Sequence, residues 1–239
     1  MANDSISAPP IRGLLFDKDG TLFDFHETWS RWARGFIGDV TGGDPARAAR
    51  LAAVLGYDLD AGRFERTSPM IAGTMEVVVE AVQAVLPEFS ETALRAMIRD
   101  STAAAPQAEA VPLIPLFERL EDAGLVLGVA TNDGEVPARA HLTRAGILES
   151  FAFIAGYDSG FGAKPGPGMC LGFSRAVGLD PAACVMVGDS SHDLVSGRAA
   201  GMRTLAVLTG LATRDELAPL ADDVIESIGE LPLWLGLKG

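Results

Sequence analysis

Residues 13–22 read Gly13-Leu14-Leu15-Phe16-Asp17-Lys18-Asp19-Gly20-Thr21-Leu22. A short apolar run ends abruptly in an acidic turn. Without polar alternation, such a run suits a strand buried on both faces of a parallel sheet. The strand delivers its next residues to the sheet's carboxyl edge, where open α/β sheets hold their ligands. Gly20 allows the backbone to turn tightly just after the two carboxylates.

The same pattern recurs further along the chain. Leu125 to Ala130 is an apolar run ending in Thr131-Asn132-Asp133-Gly134, and Phe151 to Ala155 is another. Cys184 to Val187 ends in Gly188-Asp189, Leu205 to Leu208 follows, and a weaker strand-helix pair lies near Val224 and Leu231. Helical stretches separate these runs: Leu113 to Leu120, closed by Gly124; Glu135 to Ala145; Pro165 to Val177; and Leu194 to Ala200. Alternating strands and helices predict a parallel sheet with helices on both faces.

Between the first strand and this series the rhythm is different. Trp29, Trp32, Ala33, Phe36, Ile37 and Val40 follow helical spacing until Gly42-Gly43. Ser68-Pro69 opens a second helix whose stripe is Val77, Val78, Ala81, Val82 and Val85, and Ser90 caps a third bearing Leu94, Met97 and Ile98. Thr131 follows Asp19 by 112 positions, whereas one βαβ unit needs roughly 30 residues. The surplus predicts an all-helical insertion over residues 25–107, set on a core of residues 1–24 and 108–239. An insertion at the carboxyl edge of the first strand would cover the site as a lid.

The 239 residues carry a formal charge of −13. This balance argues against nucleic acid or an anionic membrane as the main partner, since both need a basic face. An anionic substrate would need local cations to outweigh the global field, and a divalent metal would supply them. Cys170 and Cys184 have no metal-ligand spacing and read as small core residues in a reduced, cytoplasmic setting. Met1 to Pro10 lacks a charged-then-apolar signal pattern. No apolar run approaches the ~20 residues needed to span a bilayer.

Hydrolysis of a phosphate monoester needs a nucleophile, charge neutralisation and a proton for the leaving alkoxide. A strand-end aspartate can attack phosphorus, and a carboxylate two residues on can protonate the leaving group and later activate water. The two together are half of a hard oxygen site for Mg²⁺. Asp17 and Asp19 fit this pattern. A calcium loop is a poor alternative, because Leu22, Phe23 and Phe25 stand where an EF-hand needs further ligands.

Phe16-Asp17-Lys18-Asp19-Gly20-Thr21-Leu22 resembles the first motif of the haloacid dehalogenase superfamily. Thr131-Asn132 resembles the second, Lys164-Pro165 the third, and Gly188-Asp189-Ser190-Ser191-His192-Asp193 the fourth. Four motifs stand in order at predicted element ends over Ile11 to about Leu208, and the insertion resembles the superfamily's C1 cap. The resemblance implies a Rossmann-like core that hydrolyses a small phosphorylated metabolite, of phosphoglycolate or sugar-phosphate type, through an aspartyl-phosphate with Mg²⁺. By the same resemblance Asp17 is nucleophile and metal ligand, and Asp19 is the acid/base and a ligand through its carbonyl. Thr131 and the Asn132 backbone hold the phosphoryl oxygens, Lys164 pairs with both Asp17 and the phosphate, and Asp189 holds the metal, with Asp193 completing or orienting its shell. Taken singly, Thr131-Asn132 and Asp189 read equally as helix caps, and Lys164 as a solvated lysine; one shared metal site explains them together.

Two rival activities stand beside hydrolysis. A phosphomutase of this fold often carries Val where Thr21 stands, and a non-catalytic binding protein would be expected to have lost Asp17, Asp19 or Lys164. His26 follows the first motif and is a candidate substrate-binding residue. Arg31, Arg34, Arg63 and Arg66 read as solvated surface charge, and Trp29, Trp32 and Phe36 as cap core. His141 carries no site argument, and Lys18 departs from the commoner apolar residue between the aspartates. Oligomeric state is open.

Overall fold

The computed structural model describes residues 9–65, 68–72 and 75–237; the amino-terminal stretch before Pro9 and Arg66 lie outside them. β1 is Gly13–Phe16, buried at all four residues. Next come α1 (Phe25–Thr41), α2 (Pro45–Leu55), β2 (Tyr57–Asp58), β3 (Arg63–Phe64), α3 (Pro69–Ala72), α4 (Met75–Val85) and α5 (Glu91–Ala104). The remainder is α6 (Leu113–Asp122), β4 (Val126–Ala130), α7 (Glu135–Arg144), β5 (Phe151–Ala155), α8 (Gly168–Val177) and β6 (Cys184–Gly188). It ends with α9 (Ser191–Ala199), β7 (Arg203–Val207), α10 (Arg214–Leu217), β8 (Asp223–Ile225) and α11 (Leu231–Trp234).

Six strands form one sheet in the order β5-β4-β1-β6-β7-β8, and every pairing in it is parallel. The chain builds from β1 to one side through β4 and β5, then crosses to build β6, β7 and β8 on the other. That reversal beside β1 is a topological switch point, where such sheets open a ligand crevice. Phe16 lies opposite both Val129 and Val187. The tips of β1, β4 and β6 therefore end nearly level, and Asp17, Thr131 and Asp189 leave the sheet at one edge.

The sheet packs through Leu14, Phe16, Leu127, Val129, Val185 and Val187 against α6 on one face. Leu15, Ala130 and Met186 meet Met169 and Phe173 of α8 on the other. Cys170 and Cys184 are buried and free, as expected. The segment from α1 to α5 has an apolar core of its own, centred on Trp29, Trp32, Phe36, Leu51, Val82 and Leu94. Asp24 caps α1 by accepting from the Glu27 amide at 2.8 Å, and Gly42 ends the helix in the left-handed conformation. No described helix is long and apolar enough to cross a membrane.

Three expectations are corrected. The insertion is not all-helical, because β2 and β3 pair as an antiparallel hairpin with Tyr57 opposite Phe64. Asp58 closes the turn by accepting from the Asp60 and Ala61 amides, and the Tyr57 and Phe64 rings pack at 4.9 Å. On α4 the buried stripe is Val78, Val79 and Val82, whereas Val77 is 47% exposed; a run of three valines leaves the helical phase ambiguous. Finally, the helix expected from Pro165 begins at Gly168. The Asn132 side chain holds the Lys164 backbone from both sides, accepting from its amide at 2.8 Å and donating to its carbonyl at 3.0 Å.

Candidate active site

β1, β4 and β6 present their tips beneath the insertion, and the side chains there converge on one cleft. Asp17, Asp19, Thr131, Asn132, Lys164, Asp189 and Asp193 all line it, and Trp29, Met70, Met75, Val78, Ile98 and Thr102 reach it from the insertion.

Lys164 is the electrostatic centre. Its Nζ lies 2.6 Å from Asp17 Oδ1 and 2.6 Å from Asp193 Oδ1, and donates to the Ala130 carbonyl at 2.7 Å. The lysine is only 4% exposed. Burial works against its charge, yet Asp17 and Asp193 outweigh burial and hold its pKa above the usual lysine value. Such a lysine is a permanent cation.

Around it lies an excess of acid. Asp17, Asp189 and Asp193 each offer one oxygen, and these oxygens lie within 4.8 Å of one another. Burial raises the Asp17 pKa to about 7; Lys164 opposes this and the nearby Asp193 and Asp19 add to it. Asp189 is pushed well above the usual carboxylate range by burial first, then by Asp17 and Asp193. Three hard oxygen donors within reach of one another could hold a small divalent cation. Local backbone shape agrees. Gly20, at φ 84°, and Gly210 both face the Asp189 carboxylate, and a side-chain carbon at either would collide with it.

Asp193 is held in place from its own helix: the Ser190 amide and hydroxyl donate to its Oδ2 at 3.0 and 2.6 Å. It therefore caps α9 while its other oxygen faces Lys164. Thr131 Oγ1 accepts from the Asp133 amide at 3.0 Å, fixing the turn after β4. Asn132 acts on the Lys164 backbone, so its side chain sets where that ammonium emerges.

Asp19 stands apart from the acidic cluster. Its Oδ1 accepts from Trp29 Nε1 at 2.9 Å, and its Oδ2 lies 2.6 Å from Lys18 Nζ. Trp29 thus both packs in the insertion's core and touches the candidate acid/base, which helical spacing alone does not show. Lys18 and His141 are fully buried and contact each other, Nζ to Nδ1, at 3.2 Å. Their meeting is not readable from the sequence, because the two residues are 123 positions apart. His26 is a correction. It is exposed and lies with Arg31, Arg34 and Arg63 in a groove outside the catalytic cleft. The buried face of α1 is set by Phe25, Thr28 and Trp29, which turns His26 away.

A family model described as haloacid dehalogenase-like hydrolase matches residues 11–201. The chain belongs to that family. A phosphoglycolate phosphatase of Xylella fastidiosa is 30% identical over 217 residues, covering 90% of this chain and 89% of its own. Hexitol phosphatase B of Escherichia coli is 27% identical over 92% of this chain and 94% of its own. A crystal structure of a predicted phosphoglycolate phosphatase from Haemophilus somnus superimposes with a TM-score of 0.70 at 18% identity, covering 94% of this chain and 97% of that one. The expected resemblance to phosphoglycolate phosphatases within this family is thereby borne out. The chain is a hydrolase of the phosphoric monoester class.

Proposed function

We propose that this hydrolase cleaves a small phosphate monoester through an aspartyl-phosphate on Asp17, with Mg²⁺ held by Asp17, Asp189 and Asp193. The supporting observation is the Lys164 ammonium, 2.6 Å from both Asp17 and Asp193 at the meeting point of three strand tips. A carboxylate cannot approach a dianionic phosphate without neutralisation, and this arrangement supplies it at the attacking oxygen. The residues fit the metal by donor type and by mutual reach. When bound, Mg²⁺ supplies further positive charge to the phosphoryl oxygens.

Asp17 Oδ attacks phosphorus in line with the leaving alkoxide, and Lys164 offsets the repulsion between the two anions. Thr131 and Asn132 line the cleft, and the Thr131 hydroxyl and Asn132 backbone amide would hold the transferring oxygens there. Asp19 gives a proton to the departing alkoxide, then takes one from the water that attacks the acyl phosphate. Phosphoglycolate and sugar phosphates are the leading substrates, given what the relatives are named for. Phosphomutase activity is the second reading; Thr21, whose hydroxyl donates to Asp189 Oδ1 at 3.4 Å, stands where that activity often has Val.

The test is a screen of phosphorylated metabolites for released phosphate with Mg²⁺ and with EDTA, run on the native chain and Asp17→Asn. Release that needs Mg²⁺ and vanishes in the variant is expected. Metal-dependent hydrolysis retained by Asp17→Asn would overturn the proposal.

A further inference from the structure

Lys18 occupies the position between the two aspartates and is fully buried. A buried ammonium is costly unless several partners receive its protons. Here it lies 2.6 Å from Asp19 Oδ2 and 3.4 Å from Asp133 Oδ2, meets His141 Nδ1 at 3.2 Å, and sits 5.4 Å from the centroid of the Trp29 ring. Burial opposes its charge, but Asp19 and Asp133 outweigh it and keep the group protonated.

The roles at His141 follow from its neighbours. An ammonium can only donate, so Nδ1 accepts from Lys18. The Thr102 carbonyl can only accept, so Nε2 carries the hydrogen and donates to it at 2.8 Å. The imidazole is thus neutral, in agreement with burial and Lys18 lowering its pKa to about 4. Thr102 belongs to α5 of the insertion. A continuous chain therefore runs from the α5 backbone through His141 and Lys18 to Asp19 Oδ2, while Trp29 of α1 holds Oδ1. Both oxygens of one carboxylate are oriented by groups tied to the insertion.

We propose that Lys18 and His141 are positioning residues for Asp19, which orient its carboxylate for proton transfer only when the insertion is seated over the cleft. The inference rests on Asp19 being the general acid of the proposed reaction. It separates from a merely structural role through the leaving group. For the first irreversible step, read as kcat/KM, an alkyl phosphate needs its alkoxide protonated, whereas a dinitrophenyl phosphate expels a stable phenolate unaided.

The experiment measures kcat/KM for both substrates in the native chain, Lys18→Met, His141→Phe, Trp29→Phe, Asp19→Asn and Asp17→Asn. Lys18→Met should lose about 30-fold or more on the alkyl phosphate and less than about 3-fold on the aryl one, within what a general acid supplies. His141→Phe and Trp29→Phe should show the same selectivity at smaller size, which keeps the test open if Lys18→Met does not fold. Equal losses on both substrates in all three variants, or no loss on the alkyl phosphate, would overturn the inference. If these variants fail to discriminate while Asp19→Asn does, only the positioning role falls. If Asp19→Asn fails to discriminate, the general-acid assignment and this inference fall together. If Asp17→Asn remains active, the proposed reaction itself falls.

Discussion

Three acceptors converge on the Lys164 ammonium: two carboxylates and the Ala130 carbonyl. Removing a buried cation while leaving its partners is far worse than never having the pair. Lys164→Met should therefore lower kcat/KM by about a thousandfold. In EDTA it should also cost about 3 kcal/mol of folding stability, part of which Mg²⁺ restores; urea unfolding with and without metal measures both. Asp17 sets a pH dependence on metal binding. Burial raises its pKa to about 7, and only the ionised form can be a ligand. Asp189, which burial also pushes up, must lose its proton as well, so protons compete with Mg²⁺ at both ligands. Apparent affinity should fall by about tenfold or more per pH unit below pH 7, as calorimetric titration would show. Asp17 and Asp189 each follow a strand that an apolar run announces, whereas Lys164 and Asp193 could be anticipated only through the motif resemblance. Lys18 and His141 were unreadable: a lysine in a turn and a histidine on a helix look solvated until folding brings Asp133 and Thr102 to them.

At the scale of elements, β1, β4, β5 and β6 announced themselves because each is apolar throughout, whereas β7 opens on Arg203-Thr204 and β8 on Asp223, so only their ends read as strand. The β2–β3 hairpin did not, since two-residue strands are too short to show any period. The start of α8 was misplaced for a different reason: Asn132, far away in sequence, clamps the Lys164 backbone. The turn after β1 carries its own prediction. Gly20 has φ 84° and faces Asp189. Gly20→Ala combines a strained conformation, about 1–2 kcal/mol, with displacement of that carboxylate. Thermal unfolding should report the first effect, and Mg²⁺ affinity lowered by roughly tenfold or more should report the second. Unchanged metal affinity would show that Asp189 does not depend on the shape of this turn.

Over the whole molecule, two apolar cores meet at one acidic cleft, and the chain bears a net charge of −13. That field repels an anionic substrate at long range, while Lys164 and a bound cation attract it locally. With Mg²⁺ saturating, added salt should first raise kcat/KM for a dianionic substrate, because screening at 0.1 M acts over about 10 Å; a monotonic fall would mean that local attraction dominates the encounter. The proposed reaction passes through a phosphorylated Asp17. Turnover quenched in acid, reduced with borohydride and mapped by peptide mass spectrometry tests that directly. Homoserine at position 17, dependent on substrate and absent when Asp17 is replaced by Asn, is the predicted result. Steady hydrolysis with an unmodified Asp17 peptide, or with the label at another carboxylate, would contradict it.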